Sequence, residues 1–194
     1  MPSPDISVVI PVRAGGSPEI TLRSLAAQSY QDFDIVVSWD HDARGACWAR
    51  NRGTEKVRTP FILFSDDDIV WEPRALKTLR HVLLSRPEAS WSYGCYEIDG
   101  RIVGAQPFER ELLQRKNYIS TMSLILREHV PVWDEKITRL QDWDLWLTML
   151  EQSRSAVYCG TKIFSTARKE NGITYGSISW VEAERIVKAK HGLV

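Results

Sequence analysis

The chain has 194 residues, 43% of them hydrophobic and 26% charged, with 25 basic and 25 acidic side chains and no formal net charge. That length suits one domain with a substantial core, and the charge balance lacks the basic footprint of bulk nucleic-acid binding. Three well-separated cysteines (Cys47, Cys95 and Cys159) fit neither a disulfide framework nor a zinc site.

The cysteines read as reduced thiols of a cytoplasmic protein. The opening Met-Pro-Ser-Pro-Asp has neither the basic start nor the apolar stretch of a signal peptide. No apolar run approaches the ~20 residues of a spanning helix. The expectation is a cytoplasmic protein with no transmembrane segment.

The segment ISVVIPV (6–12) is a β-branched run ending at Ala14-Gly15-Gly16, which suits a strand buried on both faces. Ser17-Pro18-Glu19 then opens a helix, with Ser17 as cap and Pro18 in the first turn. FDIVVSW (33–39) is a second strand, and residues 43–57 form a helix interrupted near Gly53. PFILFS (60–65) is a third strand, followed by a helix over 73–85. Three strand-helix units in succession predict parallel strands with right-handed crossovers. Farther on, strands at 90–97 and 101–106 flank the hairpin turn Asp99-Gly100. A strand at 122–127, a helix at 140–151, one or two strands at 156–164 and a closing helix at 179–191 complete the chain. The fold class is therefore α/β, one domain over 1–194 with a mixed sheet, parallel in its first half.

Asp66-Asp67-Asp68 follows directly on the third apolar strand. Ligands of open α/β sheets bind beyond the carboxyl ends of the strands. Adjacent carboxylates repel one another, so a counter-cation is expected there. In extended chain Asp66 and Asp68 share one side and Asp67 faces the other. Two carboxylates, completed by water and phosphate oxygens, are a common way to hold Mg²⁺.

Four segments, in order, resemble the family 2 glycosyltransferases of the GT-A fold: ISVVIPVR with the helix ending LAAQSYQDFDIVVS; WDHD with ARNRG; FSDDDIVWEP; and QDWDLWL. The resemblance spans roughly residues 6 to 150. It implies a Rossmann-like sandwich with helices on both faces, a nucleotide-sugar half over 1–100 and an acceptor half over 101–194. It implies that Asp66 and Asp68 form an Asp-x-Asp pair binding Mn²⁺ or Mg²⁺ and, through it, the donor diphosphate. It implies that Asp40 contacts the nucleobase or ribose, that Pro11 and Asp67 lie on the donor side, and that Asp142 is the catalytic base of an inverting transfer. UDP-sugar is the commonest donor of such enzymes. The acceptor is open among glycan, protein, lipid-linked saccharide and modified base, with a lean toward a soluble one. The chain departs from the pattern in Trp39-Asp40, where paired acids are usual, and in Gln141, where Glu is usual. It departs again over 167–171, where a His is common and Arg168 or Lys169 stands as the substitute.

A single displacement needs a stabilised leaving diphosphate and a base for the acceptor hydroxyl, but no nucleophilic side chain. Asp144 rivals Asp142, because both lie about equally off the stripe of Trp143, Trp146, Leu147 and Leu150. Arg13, at the end of the first strand, and Arg50, in ARNRG, are diphosphate candidates through their planar forks of donors. Trp39, Trp71, Trp133 and Trp143 lie beside the site motifs, and Trp71 and Trp133 are favoured for acceptor contact. The competing functions are a nucleotidyltransferase and a non-catalytic carbohydrate- or nucleotide-binding module. RAGGSPE, with one cation, is a poor phosphate loop for the former.

Overall fold

A computed structural model describes residues 4–167 and 178–193. The three predicted strand-helix units are present. They are β1 (Ile6–Arg13), α1 (Glu19–Ala26), β2 (Phe33–Asp40), α2 (Ala46–Thr54), β3 (Phe61–Phe64) and α3 (Ala75–Leu84). β1 pairs in parallel with β2 on one side and with β3 on the other. The second half adds β5 (Trp91–Ile98), β6 (Arg101–Val103), β7 (Leu124–Leu126), α5 (Gln141–Glu151), β8 (Ala156–Thr166) and α6 (Trp180–Lys190). Two elements escaped sequence reading because they are too short to show a period: β4 (Val70–Trp71) and α4 (Arg110–Arg115).

The sheet order is β2-β1-β3-β7-β5-β8-β4, with β6 paired to β5. β7 runs antiparallel to both β3 and β5, so the sheet is mixed beyond β3, as expected. The Asp99-Gly100 turn joins β5 to β6, with φ of 50° and 77° at its two residues. Positive φ at both central positions makes the strand twist continuous through a two-residue turn.

Period-two alternation distributes the core. Ile6, Val8, Ile10 and Val12 of β1 pack with Leu25 of α1 and Leu76 and Leu79 of α3. Val9 faces the other side, with Ile62, Phe64, Cys47 of α2 and the tryptophans of α5. Both faces are covered by helices, which is why β3 reads as an unbroken apolar run.

α2 ends at Thr54, one residue past Gly53, so the interruption expected near the glycine is the end of the helix. The glycine also lets the helix approach β1, since a Cβ at this position would lie 2.3 Å from Val9 Cγ1. Overpacking of this kind costs about 1–3 kcal/mol, more than the roughly 1 kcal/mol an alanine gains over glycine in a helix. Gly53→Ala is therefore expected to lower the thermal midpoint by about 2–8 °C. A midpoint that stays or rises would show that α2 has room to shift.

Ser17 sits one position outside the expected cap. Pro18 is the residue before α1, and Ser17 Oγ accepts only a long 3.4 Å bond from the Glu19 N–H.

Candidate active site

The carboxyl ends of parallel β1, β2 and β3 lie on one edge of the sheet and carry Arg13, Asp40 and Asp66. Strand order reverses at β1, because its successors lie on opposite sides of it. The crevice beyond β1 and β3 is thus the place where α/β sheets take ligands. Pro11 marks its opening. The β1–β3 ladder runs only from Ile6 to Val9, with one further bond from the Ser65 N–H to the Val9 carbonyl at 2.9 Å. A missing N–H at Pro11 therefore costs no ladder bond.

Asp66 follows β3 in extended chain, but the backbone turns at Asp67-Asp68. The alternation predicted for the triplet thus stops after its first member. Thr21 Oγ1 shares its one proton between the Asp66 and Ile69 carbonyls, each 3.0 Å away, and it accepts the Ile69 N–H. One buried hydroxyl of α1 therefore sets the shape of the acidic turn. Asp67 points back at the loop after β1, where a Cβ on Gly16 would come within 2.9 Å of its Oδ2.

The Asp66 side chain keeps 41% exposure along its open edge. Burial of the rest raises its carboxyl above the usual aspartate value, Arg50 pulls it down, and Asp68 pushes it up again. Two carboxylates close enough to repel, at the mouth of a crevice, are a hard oxygen donor set suited to Mg²⁺ or Mn²⁺. Among the described residues no three His, Cys, Asp or Glu side chains cluster as a metal cage. A cation held here would draw its remaining ligands from water and ligand phosphate.

Arg50 was expected to meet diphosphate; the structure gives its fork other partners. Its side chain is 5% exposed. Nη2 donates to Asp66 Oδ1 at 3.1 Å, Nη1 donates to Gln141 Oε1 at 2.8 Å, and the guanidinium lies 4.7 Å from the Trp133 ring centroid. Arg50 thus ties the end of β3 to the start of α5. The neighbouring Asn51 clamps the backbone of Trp133 through bonds of 3.0 and 2.9 Å. Gln141, the departure noted in the sequence, leaves Arg50 with Asp66 as its carboxylate partner.

Asp142 is the second residue of α5, where the helix dipole favours an anion. Its Oδ1 accepts the Trp143 N–H at 2.9 Å, and the Asn117 side chain also hydrogen-bonds it. Burial nevertheless raises its carboxyl above the usual range, with Asn117, Trp143 and Arg50 opposing and Asp66 adding to the rise. A raised value makes a better base toward a hydroxyl. Its charge in turn adds to the desolvation that pushes Tyr96 up to about 12.

The two α5 carboxylates differ in their partners. Asp144 is not on a solvated face: its side chain is 6% exposed and is bonded by Lys190 and His191. It is a buried ion-pair centre, whereas Asp142 is influenced by Arg50 and Asp66.

Three other sequence expectations are revised. Asp40 is 4% exposed, and its two oxygens accept the Arg44 and Gly45 N–H groups at 2.8 and 2.7 Å. It braces the turn into α2, so its carboxylate is not presented to a nucleoside. Trp71 is buried in β4, donates its indole N–H to Ser65 Oγ at 3.0 Å and leans on Phe164. Trp133 is buried between Arg50 and the Phe64 ring. Neither indole offers a face to an acceptor. Trp143 is buried as well, bonded to the Leu113 carbonyl. Trp39, at the end of β2, is 43% exposed and stacks on His41 with centroids 5.8 Å apart. Arg13 is exposed at the end of β1. Arg168 and Lys169 lie outside the described residues.

Sequence reading missed the Arg50–Gln141 bridge and the partners of Asp144. Neither leaves a local signal, since the partners are 91 and 46 residues apart.

Comparison with known proteins agrees with this fold. Residues 16–132 match the profile of Glycosyl transferase family 2. A curated Escherichia coli protein, UDP-Glc:alpha-D-GlcNAc-diphosphoundecaprenol beta-1,3-glucosyltransferase WfgD, is 27% identical over 139 residues, covering 68% of this chain and 54% of its own. Among solved structures, S. aureus TarS (residues 1–349) in complex with UDP-GlcNAc superposes with a TM-score of 0.74 at 15% identity, covering 96% of this chain and 66% of that one. The same TarS fragment with UDP gives a TM-score of 0.67 at 15% identity, over 95% of this chain and 70% of that one. The chain thus spans about half the length of the curated relative and two thirds of that TarS fragment.

Proposed function

The chain belongs to glycosyltransferase family 2, and from that premise we propose that it transfers a sugar from a nucleotide-diphosphate donor, a UDP-sugar, to an acceptor hydroxyl by single displacement with inversion. One observation carries the reading. Arg50 bonds both Asp66 and Gln141, the residue before Asp142, and Asp66 lies close enough to push the Asp142 carboxyl up, although the two aspartates are 76 residues apart in sequence; this supports reading them as the donor-side and acceptor-side carboxylates of one site.

Asp66 and Asp68 are the residues that would hold Mn²⁺ or Mg²⁺. Such an ion supplies Lewis-acid stabilisation of the departing diphosphate. Arg13, exposed at the end of β1, is the nearby cation for phosphate. Pro11 and Asp67 line the donor side. Trp39 has the available aromatic face for a nucleobase or sugar. Asp142 takes the acceptor proton as the new bond forms, held in aim by Asn117 and the Trp143 N–H.

The name of the E. coli relative turns the acceptor reading from a soluble compound toward a saccharide carried on a lipid diphosphate. Among the described residues no helix is long and apolar enough to cross a membrane. A substrate of that kind would be met at the bilayer surface.

The test is a thermal-shift panel of nucleoside diphosphates with and without Mn²⁺, followed by product analysis. Saturation at about 100 times Kd adds roughly 2.7 kcal/mol, a rise of about 5–10 °C for a domain of this size. The expected result is such a rise for UDP with Mn²⁺, and nucleoside diphosphate released from UDP-sugar. Release of sugar 1-phosphate from UDP-sugar, or of pyrophosphate from UTP and a sugar 1-phosphate, would favour a nucleotidyltransferase instead.

A further inference from the structure

α6 lies against α5 with little apolar surface. Ala183 and Val187 are its buried residues, while Trp180 and Val181 at its start are 51% and 76% exposed. Its C-terminal end is held by charge. Lys190 Nζ donates to Asp134 Oδ2 at 2.8 Å and to Asp144 Oδ2 at 2.9 Å. His191, its side chain 3% exposed, directs Nε2 at Asp144 Oδ1 (2.9 Å) and Nδ1 at Glu151 Oε1 (2.6 Å).

Both ring nitrogens of His191 therefore face carboxylate oxygens. A neutral imidazole has one N–H and would aim a lone pair at the other carboxylate. The arrangement suits the imidazolium, whose two N–H groups can donate to both carboxylates. Asp144 and Glu151 lie near the two ends of α5, so the ring grips that helix at both ends.

We propose that Lys190 and His191 are positioning residues that latch α6 onto α5, holding Asp142 against Asp66 while the His191 ring carries a proton on each nitrogen. This inference rests on the reading of Asp142 as the base, because what it positions is the helix that carries that residue.

The groups around the ring are Asp144 and Glu151 of α5, Lys188 and Lys190 of α6, and Arg110 of α4, which lines the adjoining cavity. Arg110 is committed to the Leu150 and Arg154 carbonyls at 3.0 and 3.1 Å. Lys188 pairs with Glu184 at 2.7 Å. Burial alone would lower the His191 value, but the hydrogen bonds to Asp144 and Glu151 and their charges outweigh it and raise the ring above an ordinary histidine. A raised folded value fixes the sign. The latch contributes fully below the ordinary histidine value and is lost as pH climbs through the raised one.

The test combines NMR titration of the four histidines, hydrogen exchange of α5 and α6 against pH (corrected for intrinsic rates), and steady-state kinetics. His191 is expected to titrate last, with α5 and α6 losing protection through the same pH. His191→Gln should lower kcat by about 10-fold with little change in donor KM, and should abolish the pH step in exchange. Glu151→Gln, at an exposed rim position, removes one anion without disturbing the core and should move that step to lower pH. Titration of His191 with or below the other histidines would overturn the latch, as would α5 exchange that is the same in wild type and both variants. Exchange and titration do not depend on turnover. An active Asp142→Asn enzyme would overturn the base while leaving the latch measurable, and a failed latch beside an inactive Asp142→Asn enzyme would leave the base in place.

Discussion

Asp142→Asn is expected to lower turnover by about 10²–10⁴-fold, the usual worth of a positioned general base, without loss of thermal stability. The second half of that expectation follows from the raised carboxyl of Asp142. A folded-state value above the unfolded one means that the charged form is disfavoured by folding. The stability associated with this group is greatest at pH below its unfolded value, and it falls as pH rises through the folded one. At neutral pH the ionised carboxylate is therefore a local cost, and a neutral amide of the same shape relieves it. A variant that melts at or above the wild-type temperature but has lost turnover would identify Asp142 as a functional residue and not a structural one. The same shift places the acid limb of kcat/KM above the ordinary aspartate value, so wild-type activity should decline on acidification before the protein does. Retention of full turnover by the asparagine variant would sink the base assignment and revive the non-catalytic binding module.

The second large effect is expected at the acidic turn. Lewis-acid stabilisation of a leaving group is worth several kcal/mol, so Asp66→Asn with Asp68→Asn should lower turnover by about 10²-fold or more. The Mn²⁺-dependent part of the thermal shift with UDP should vanish together with it. The two single variants are expected to differ. Asp66 also accepts from the buried guanidinium of Arg50, so its amide leaves Arg50 with a weaker partner and should disturb the start of α5. Asp68→Asn, which leaves the Arg50–Asp66 bond in place, should weaken metal affinity, seen as a higher Mn²⁺ concentration for half-maximal rate. Metal-dependent turnover that survives in the double variant would show that these carboxylates hold no catalytic ion.

Arg50 shows how packing can give a side chain partners that its motif does not suggest. Its motif pointed to phosphate, but its fork is occupied by Asp66 and Gln141, and its flat face by Trp133. The tryptophans repeat the point. Trp71 and Trp133 sit next to site residues in sequence, yet burial sends both indoles into the core, whereas Trp39 lies on an edge strand and keeps an open face. Sequence neighbours of a site residue share its backbone position but not its direction, because strand and turn geometry swing side chains to opposite faces.

What the sequence by itself determined is local in origin. Strands and helices are written in apolar periods of two and near four. The Asp99-Gly100 turn is written in backbone preference, and the acidic triplet belongs to β3 because three carboxylates cannot continue a buried strand. These suffice for an α/β sheet that is parallel in its first half, with its crevice at the carboxyl edge. Only long-range packing sets Asp142 near Asp66 and Arg50 while Asp144 faces Lys190 and His191, and lets Asp40 brace a turn through both of its oxygens. On a helix wheel the two α5 carboxylates are equivalent. They become different only when packing supplies cations to one and leaves the other half-desolvated, and those partners come from elements too distant in the chain for any local pattern to encode.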